Sequence, residues 1–302
     1  MIQSPLNYTG GKYKLLPQIL PLFPDRMDTF VDLFCGGCNV GINVKANKHL
    51  YNDNCTPLIN LYKVMQKMET EEFIQHVEQV ISKYGLSDVK RKGYDYYSCN
   101  SKDGLSAYNR ESYLGLRRHV NSITVRDDEY YIKLYVLIIY AFNNQIRFNR
   151  KGEYNLPPGK RDFNQKMHDK LGGFLEILHR QSAVFSDMDF REMDLHSLNA
   201  RDFVYADPPY LITCASYNEQ GGWNEEKEEA LLQILDNLSA NNVRFALSNV
   251  IEAKGKVNEI LNRWVCSRPK YRMLELAYTY KNANYQRKNK EIQTREVLKV
   301  GS

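Results

Sequence analysis

The sequence predicts an α/β protein built on an open sheet of the nucleotide-binding kind, and three stretches carry that expectation. Thr29-Phe-Val-Asp-Leu-Phe34 reads as a strand that runs into Cys35-Gly-Gly-Cys-Asn-Val-Gly41 and then a helix. A strand, glycines and a helix make the first unit of such a sheet. Leu50-Tyr-Asn-Asp53 reads as a second strand ending in an acid, 17 residues after Gly36. That is near the ~20-residue offset at which a carboxylate meets the ribose hydroxyls of a bound nucleoside. Phe203-Val-Tyr-Ala206 reads as a third strand, stopped at Asp207 because neither Pro208 nor Pro209 offers an N–H to a ladder.

Taken from the start, Ser4 to Lys14 holds Gly10-Gly11, a breaker that lets backbone approach a ligand closely. Lys12 follows, and Leu15, Leu16, Ile19 and Leu20 read as the buried side of a helix beginning there. The phosphate-loop pattern, with four residues between its glycines, is absent, which argues against an ATP site. Asp53 has two readings: a ribose acid, or a helix N-cap ahead of Pro57-Leu-Ile-Asn-Leu-Tyr62. Helical character runs from Thr56 to Tyr84.

Charge then concentrates. Tyr84 to Asp162 carries 14 Lys+Arg against 9 Asp+Glu and 11 of the 22 tyrosines, while the remainder of the chain sums to zero against a total of +5. Basic groups interleaved with aromatics suit a polyanion whose bases can be stacked; a solvated basic surface is the plainer alternative. Within this segment Asp128 to Phe142 predicts a helix, with Tyr131, Leu134, Tyr135, Ile138 and Phe142 on one face. It leads into Asn143-Asn144-Gln145 and a hairpin-like loop ending at Leu156-Pro-Pro-Gly159. Asn143, Arg147, Asn149, Arg150, Lys151 and Lys160 are candidate nucleic-acid contacts: Arg pairs with guanine edges and Asn with adenine edges, and a phosphate contact or a cap is the plainer reading of any one of them. A helix from Asn164 to Arg180 leads back.

After Tyr210, residues 213–222 read as a mobile loop. Glu225 to Leu238 reads as a helix with its acids at the start, where the dipole favours them. Val243 to Asn249, Tyr271 to Tyr280 and Arg295 to Val300 read as strands. Between the last two lies Lys281 to Lys290, basic and without an acid, which reads as a second nucleic-acid-facing loop with Arg287 and Lys288 as candidate contacts, or as a disordered hairpin tip.

Other classes are disfavoured. The longest apolar run, Leu134 to Phe142, falls far short of the ~20 residues that span a bilayer. Met1-Ile-Gln-Ser-Pro-Leu6 has no charged region followed by an apolar one, so no signal peptide is expected. Six scattered cysteines suggest no disulfide framework and a reduced, cytoplasmic protein. Cys35-Gly-Gly-Cys38 lacks the second pair or nearby His that would complete a metal site, so no metal is expected.

The Asp207-Pro208-Pro209-Tyr210 corner has chemistry of its own. A carboxylate, a fixed backbone carbonyl and an aromatic face suit a planar base with an exocyclic amino group; the plainer alternative is a strand-ending loop. Together these stretches resemble the Dam-like family of DNA N6-adenine methyltransferases. Asn7-Tyr-Thr-Gly-Gly-Lys12 resembles that family's amino-terminal cofactor motif. Asp32-Leu-Phe-Cys-Gly-Gly-Cys-Asn39 is similar to its glycine loop, with Cys38 and Asn39 where Gly and Ser are usual. Asn52-Asp-Asn-Cys-Thr-Pro57 matches its acidic motif. Asn143 to Gly159 is similar to its recognition hairpin, with Asn144 where Gly is common.

The resemblance implies a Rossmann-like S-adenosylmethionine-dependent sheet, residues 1–62 and 181–302, with an inserted, mainly helical target-recognition domain, residues 63–180. It implies that Tyr8, Lys12, Asp32, Phe34, Gly36, Asp53 and Asp207 contact S-adenosylmethionine. Asp207, Pro208 and Tyr210 would hold an adenine flipped from double-stranded DNA. The enzyme would be a monomer in a bacterial or phage-infected cell, with a cognate restriction endonuclease as a candidate partner. Two alternatives stay open: an N4-cytosine methyltransferase, and a non-catalytic DNA-binding protein on the same fold. No Pro-Cys dipeptide occurs, which argues against a cysteine-nucleophile cytosine C5 enzyme.

Overall fold

A computed structural model describes residues 1–8, 10–100, 102–212, 222–253, 255–276 and 294–301, the last of these as backbone only. In chain order its helices are α1 (Leu16–Ile19), α2 (Thr56–Lys67), α3 (Thr70–Tyr84), α4 (Val89–Lys92), α5 (Ser106–Ser122), α6 (Asp128–Tyr140), α7 (Gln165–Arg180), α8 (Glu225–Ala240) and α9 (Glu259–Cys266). Its strands are β1 (Thr29–Asp32), β2 (Lys48–Asn52), β3 (Ala183–Ser186), β4 (Phe203–Ala206), β5 (Arg244–Ala253), β6 (Lys256–Val257), β7 (Arg272–Glu275) and β8 (Thr294–Gly301). The chain forms two compact units that alternate along the sequence. One comprises Met1–Tyr13, Gly36–Asn43 and Cys55–Phe185; the other comprises Lys14–Cys35, Val44–Asn54 and Ser186–Ser302.

The second unit carries β1, β2 and β4 to β8; the protein is mixed α/β and the sheet is mostly parallel, as the sequence predicts. Within that unit the strand order is β2-β1-β4-β5-β8-β7, with β6 paired to β5. Strand β1 is parallel to β2 and β4, and β4 is parallel to β5; β8 runs antiparallel to β5 and β7. From β1 the chain first builds outward to β2 and later returns to place β4 on the other side. In open α/β sheets such a reversal marks the strand carboxyl ends as the place where ligands bind. Both faces are buried, which is why β4 is apolar throughout. Val31, Leu33, Val204 and Ala206 pack into a core with Leu231 and Leu235 of α8 and Leu261 and Trp264 of α9. The alternate residues turn the other way: the Phe23 ring lies 4.7 Å from Phe203 and 5.6 Å from Tyr205.

The first unit is helical. Helix α6 packs against α2, α3 and α5, and α7 against α2 and α3. Every residue of α6 from Tyr130 to Tyr140 is buried, as expected of a helix apolar all round. Its Lys133 keeps its ammonium on Glu129, at 2.7 Å.

Several expectations need correcting. Helix α6 has no single buried face, stops at Tyr140, and leaves Phe142 outside it and 40% exposed. Tyr97, Tyr113, Tyr130, Tyr131, Tyr135, Tyr140 and Tyr154 are buried core residues, so most of the tyrosine enrichment serves packing. The glycine loop runs into one 3-10 turn, Gly41–Asn43, in place of a helix. The segment after Lys12 alternates 3-10 turns with the single turn α1, because Pro17 and Pro21 interrupt the hydrogen-bond ladder. Helices α5 and α9 and strand β3 were not anticipated. The segments expected as a mobile loop at 213–222 and a basic loop at 281–290 lie outside the described residues, save Gly222.

Candidate active site

In the second unit, three acids mark the carboxyl ends of three adjacent strands. Asp32 is the last residue of β1, in register with Tyr51 of β2 and Tyr205 of β4. Asp53 directly follows β2, and Asp207 directly follows β4. Asp32 and Asp53 are buried, at 2% and 7% exposure. The backbone fixes their placement: the Leu33 N–H donates to Tyr205 O at 2.9 Å and the Cys35 N–H to Asn52 O at 2.7 Å. The Asn52 carboxamide locks the neighbouring segment, donating to Leu33 O at 3.2 Å and Met188 O at 3.1 Å while accepting from the Met188 N–H at 3.1 Å. The N-cap of α2 is Cys55, which removes the capping alternative for Asp53.

The acid-proline corner is partly exposed. Strand β4 is buried along its length, whereas Asp207, Pro209 and Tyr210 are half-buried and Pro208 is buried. The Tyr210 hydroxyl donates to Asp207 Oδ1 at 3.0 Å. The pair is therefore held to one another while remaining half-buried.

Phe34 lies 5.2 Å from Phe190 and 5.6 Å from Trp223, which are 5.4 Å apart. Trp223 donates its indole N–H to Glu228 Oε2 at 2.5 Å. Glu228 is fully buried and also accepts from Asn249 and Asn258, at 3.0 and 2.8 Å. Burial pushes its carboxyl above the ordinary range. Next to Phe190, Asp189 takes the Arg191 guanidinium at 2.9 and 3.0 Å, and those bonds lower its pKa. Asn52, Phe190 and Trp223 escaped the sequence reading; an acid beside an aromatic after a strand, Asp189-Phe190, was the available signal.

In the first unit, Tyr8 packs closely against the glycine loop. A Cβ built on Gly36 would stand 2.8 Å from the Tyr8 ring, and one on Gly37 would stand 3.0 Å from Tyr8 Cβ. Gly36 also takes φ +44°, so glycine is required there twice over. Its carbonyl accepts from the Tyr62 hydroxyl at 2.8 Å. Cys38, standing where glycine is usual in the family it resembles, adopts φ +55°. Asn39 Oδ1 accepts from the Ser4 N–H at 3.0 Å. Lys12 is buried, with its ammonium 2.8 Å from Gly10 O.

The same unit holds the loop after α6. Bridges pair Ala141 with Pro158 and Phe148 with Tyr154 in antiparallel fashion. Helix α5 anchors the returning arm: Asn121 exchanges two bonds with the Tyr154 backbone, at 2.9 and 3.0 Å, and Arg117 and Tyr113 both donate to Leu156 O. At the tip, Asn149 is committed to the turn, accepting from the Lys151 and Glu153 N–H groups and donating to the Glu153 carboxylate. Arg147 is exposed and oriented by Asn155 Oδ1 at 2.8 Å. Asn143, Arg150, Lys151 and Lys160 are exposed. Arg287 and Lys288 lie outside the described residues.

A mostly parallel sheet with acids at its central strand ends is the layout of an α/β protein that handles a nucleoside there. The chain belongs to the D12 class N6 adenine-specific DNA methyltransferases, whose family model matches residues 8–282. It is 40% identical to the modification methylase StsI of Streptococcus sanguinis, across 98% of this chain and 42% of that protein. It is 42% identical to the type II methyltransferase M.FokI of Planomicrobium okeanokoites, across 94% of this chain and 41% of that protein. It is 26% identical to the DNA adenine methylase of Haemophilus influenzae, across 68% and 63%. The chain thus spans about two fifths of the length of the first two relatives. Membership implies S-adenosylmethionine as methyl donor.

Proposed function

We propose that the chain is a site-specific DNA N6-adenine methyltransferase. The observation that carries this is the partly exposed Asp207–Tyr210 corner at the end of β4, in line with buried Asp32 and Asp53 at the ends of β1 and β2. The sheet is then the Rossmann-like methyltransferase sheet, and residues 63–180 are the inserted target-recognition domain.

The donor set fits S-adenosylmethionine. Carboxylates accept from ribose hydroxyls and from an ammonium, and the Phe34–Phe190–Trp223 cluster offers aromatic surface to a purine. The glycine loop leads into a 3-10 turn, where a phosphate ligand would call for a helix N-terminus. Asp32, Phe34, Gly36 and Asp53 take cofactor roles in this reading, as do Tyr8, Lys12 and Asp207. When bound, the cofactor supplies an activated sulfonium methyl group.

Adenine N6 is a poor nucleophile because its lone pair is delocalised into the ring. Asp207 and the Pro208 carbonyl accept its two N–H bonds, favouring a more tetrahedral nitrogen with a localised pair. The corner then holds that nitrogen in line for methyl transfer, and Asp207 stabilises the positive charge that builds on it until a proton leaves. Orientation and electrostatics supply the rate. The base is unreachable in a duplex, so it is flipped out at a cost of a few kcal/mol and received on the Tyr210 face. Arg147, Arg150, Lys151 and Lys160 grip the duplex, with Asn143 beside them and Arg287 and Lys288 adding charge. Relatives named modification methylases support a role in a restriction–modification system, beside a cognate endonuclease.

Asp207→Ala should lower methyl transfer from tritiated S-adenosylmethionine to unmethylated duplex DNA by about 100-fold or more, with the thermal midpoint little changed. Activity within about threefold of the parent would remove Asp207 from the mechanism.

A further inference from the structure

We infer that Asn144 and Asn7 form a relay that makes cofactor binding and DNA binding cooperative in this chain. The inference rests on the function proposed above, in which the 145–159 loop meets DNA and Tyr8 meets the cofactor.

The relay starts at the carboxyl end of α6. A helix leaves its last carbonyls without partners inside the helix. Here both arms of the loop supply them. The Asn144 side-chain amide donates to Ile139 O, and the Gly159 N–H donates to Tyr140 O at 2.7 Å. Gly159 is obligatory, since a Cβ there would overlap the Ala141 carbonyl. Asn144 is therefore the pin of the outgoing arm, buried at 8% exposure. Its other carboxamide atom, Oδ1, accepts from Asn7 Nδ2 at 3.3 Å. Asn7 directly precedes Tyr8, whose ring covers Gly36 and whose Cβ stands over Gly37. One side chain thus ties the base of the DNA-reading loop to the segment carrying the cofactor aromatic.

Backbone conformation explains the residue type. Asn143 and Asn144 adopt φ +56° and +52° in succession. Asparagine tolerates the left-handed region better than other non-glycine residues. Glycine would tolerate it without strain, yet would supply neither the bond to Ile139 nor the bond to Asn7. Asparagine at 144 keeps the turn and adds the link. A ligand that shifts the loop then shifts Tyr8, and by linkage a cofactor that fixes Tyr8 favours the DNA-competent loop by the same factor.

Titration of the full chain with S-adenosylhomocysteine, alone and with a duplex carrying the methylated site mapped from an expressing host, reads this directly. In the parent the duplex should tighten S-adenosylhomocysteine binding by about fivefold or more. Asn7→Ala leaves the α6 cap in place, and Asn144→Gly keeps the backbone conformation. Each should cut that factor below about twofold while DNA-free affinity stays within about twofold, and the double variant should lose no more than either single. A merely structural role would move DNA-free affinity and spare the duplex effect. An undiminished duplex effect in Asn7→Ala, or none in a parent that binds both ligands, overturns the relay alone. A parent that binds neither ligand overturns the functional reading with it.

Discussion

At the scale of single residues, positions with positive φ mark where this chain accepts strain around its site. Gly36 has little freedom, held between φ +44° and the Tyr8 ring. Cys38 accepts the left-handed region without being glycine, a strain on the order of 1 kcal/mol. The two substitutions should therefore differ in kind. Gly36→Ala should weaken S-adenosylhomocysteine binding by about tenfold or more, because the new methyl displaces Tyr8 or the loop; about 1.4 kcal/mol suffices for that. Cys38→Gly should leave affinity within about twofold, since relief of backbone strain offsets the lost buried thiol. Calorimetric titration of both variants checks this, and equal losses would show that Tyr8 packing is irrelevant to the cofactor. The acid-proline corner was legible in the sequence because two prolines after an apolar strand leave the backbone few options. The carboxamides of Asn52 and Asn144 were not legible, because their partners lie far off in sequence and only the folded chain brings them within bonding distance.

At the scale of elements, what the sequence hid follows from how helices are buried. Helix α5 buries Asn109, Tyr113, Leu116 and Val120 at helical spacing. One of these is polar, and the helix carries Arg110, Arg117 and Arg118, so the stripe reads as part of a basic surface. Helix α6 misleads the other way: burial on every side erases the one-face pattern that periodicity seeks. The strands were read to within a few residues where they are continuous and apolar, whereas β3 is short and half-exposed.

The start of α4 depends on a titratable group. Asp162 is fully buried, its Oδ2 accepts from the Val89 N–H at 2.8 Å and the Ser87 hydroxyl at 3.3 Å, and its Oδ1 has no hydrogen-bond partner among the described residues. Burial raises its pKa from 3.8 to about 6. An acid whose folded pKa is raised binds its proton more tightly when folded, so its contribution to stability falls as pH rises from about 4 to about 6. Asp162→Asn keeps an acceptor for Val89 and cannot ionise. Its stability relative to the parent should rise by up to about 3 kcal/mol between pH 4 and pH 7 in urea denaturation. A difference independent of pH would show that Asp162 does not titrate in the folded chain.

At the scale of the whole molecule, two interleaved units divide the chain's work. The second holds every strand but β3, the three acids and the acid-proline corner. The first holds Tyr8, the glycine turn and the arginine-bearing loop on its helical support. Among the described residues, no helix is long and apolar enough to cross a membrane and no group of three or more His, Cys, Asp or Glu side chains could hold a metal ion. Sequencing modified bases, molecule by molecule, in DNA from a methylation-free host that expresses this chain tests the central claim most directly. The account predicts N6-methyladenine at one defined sequence, absent when Asp207→Ala replaces the parent. N4-methylcytosine at that sequence, or DNA left wholly unmodified by a folded, cofactor-binding chain, would contradict it.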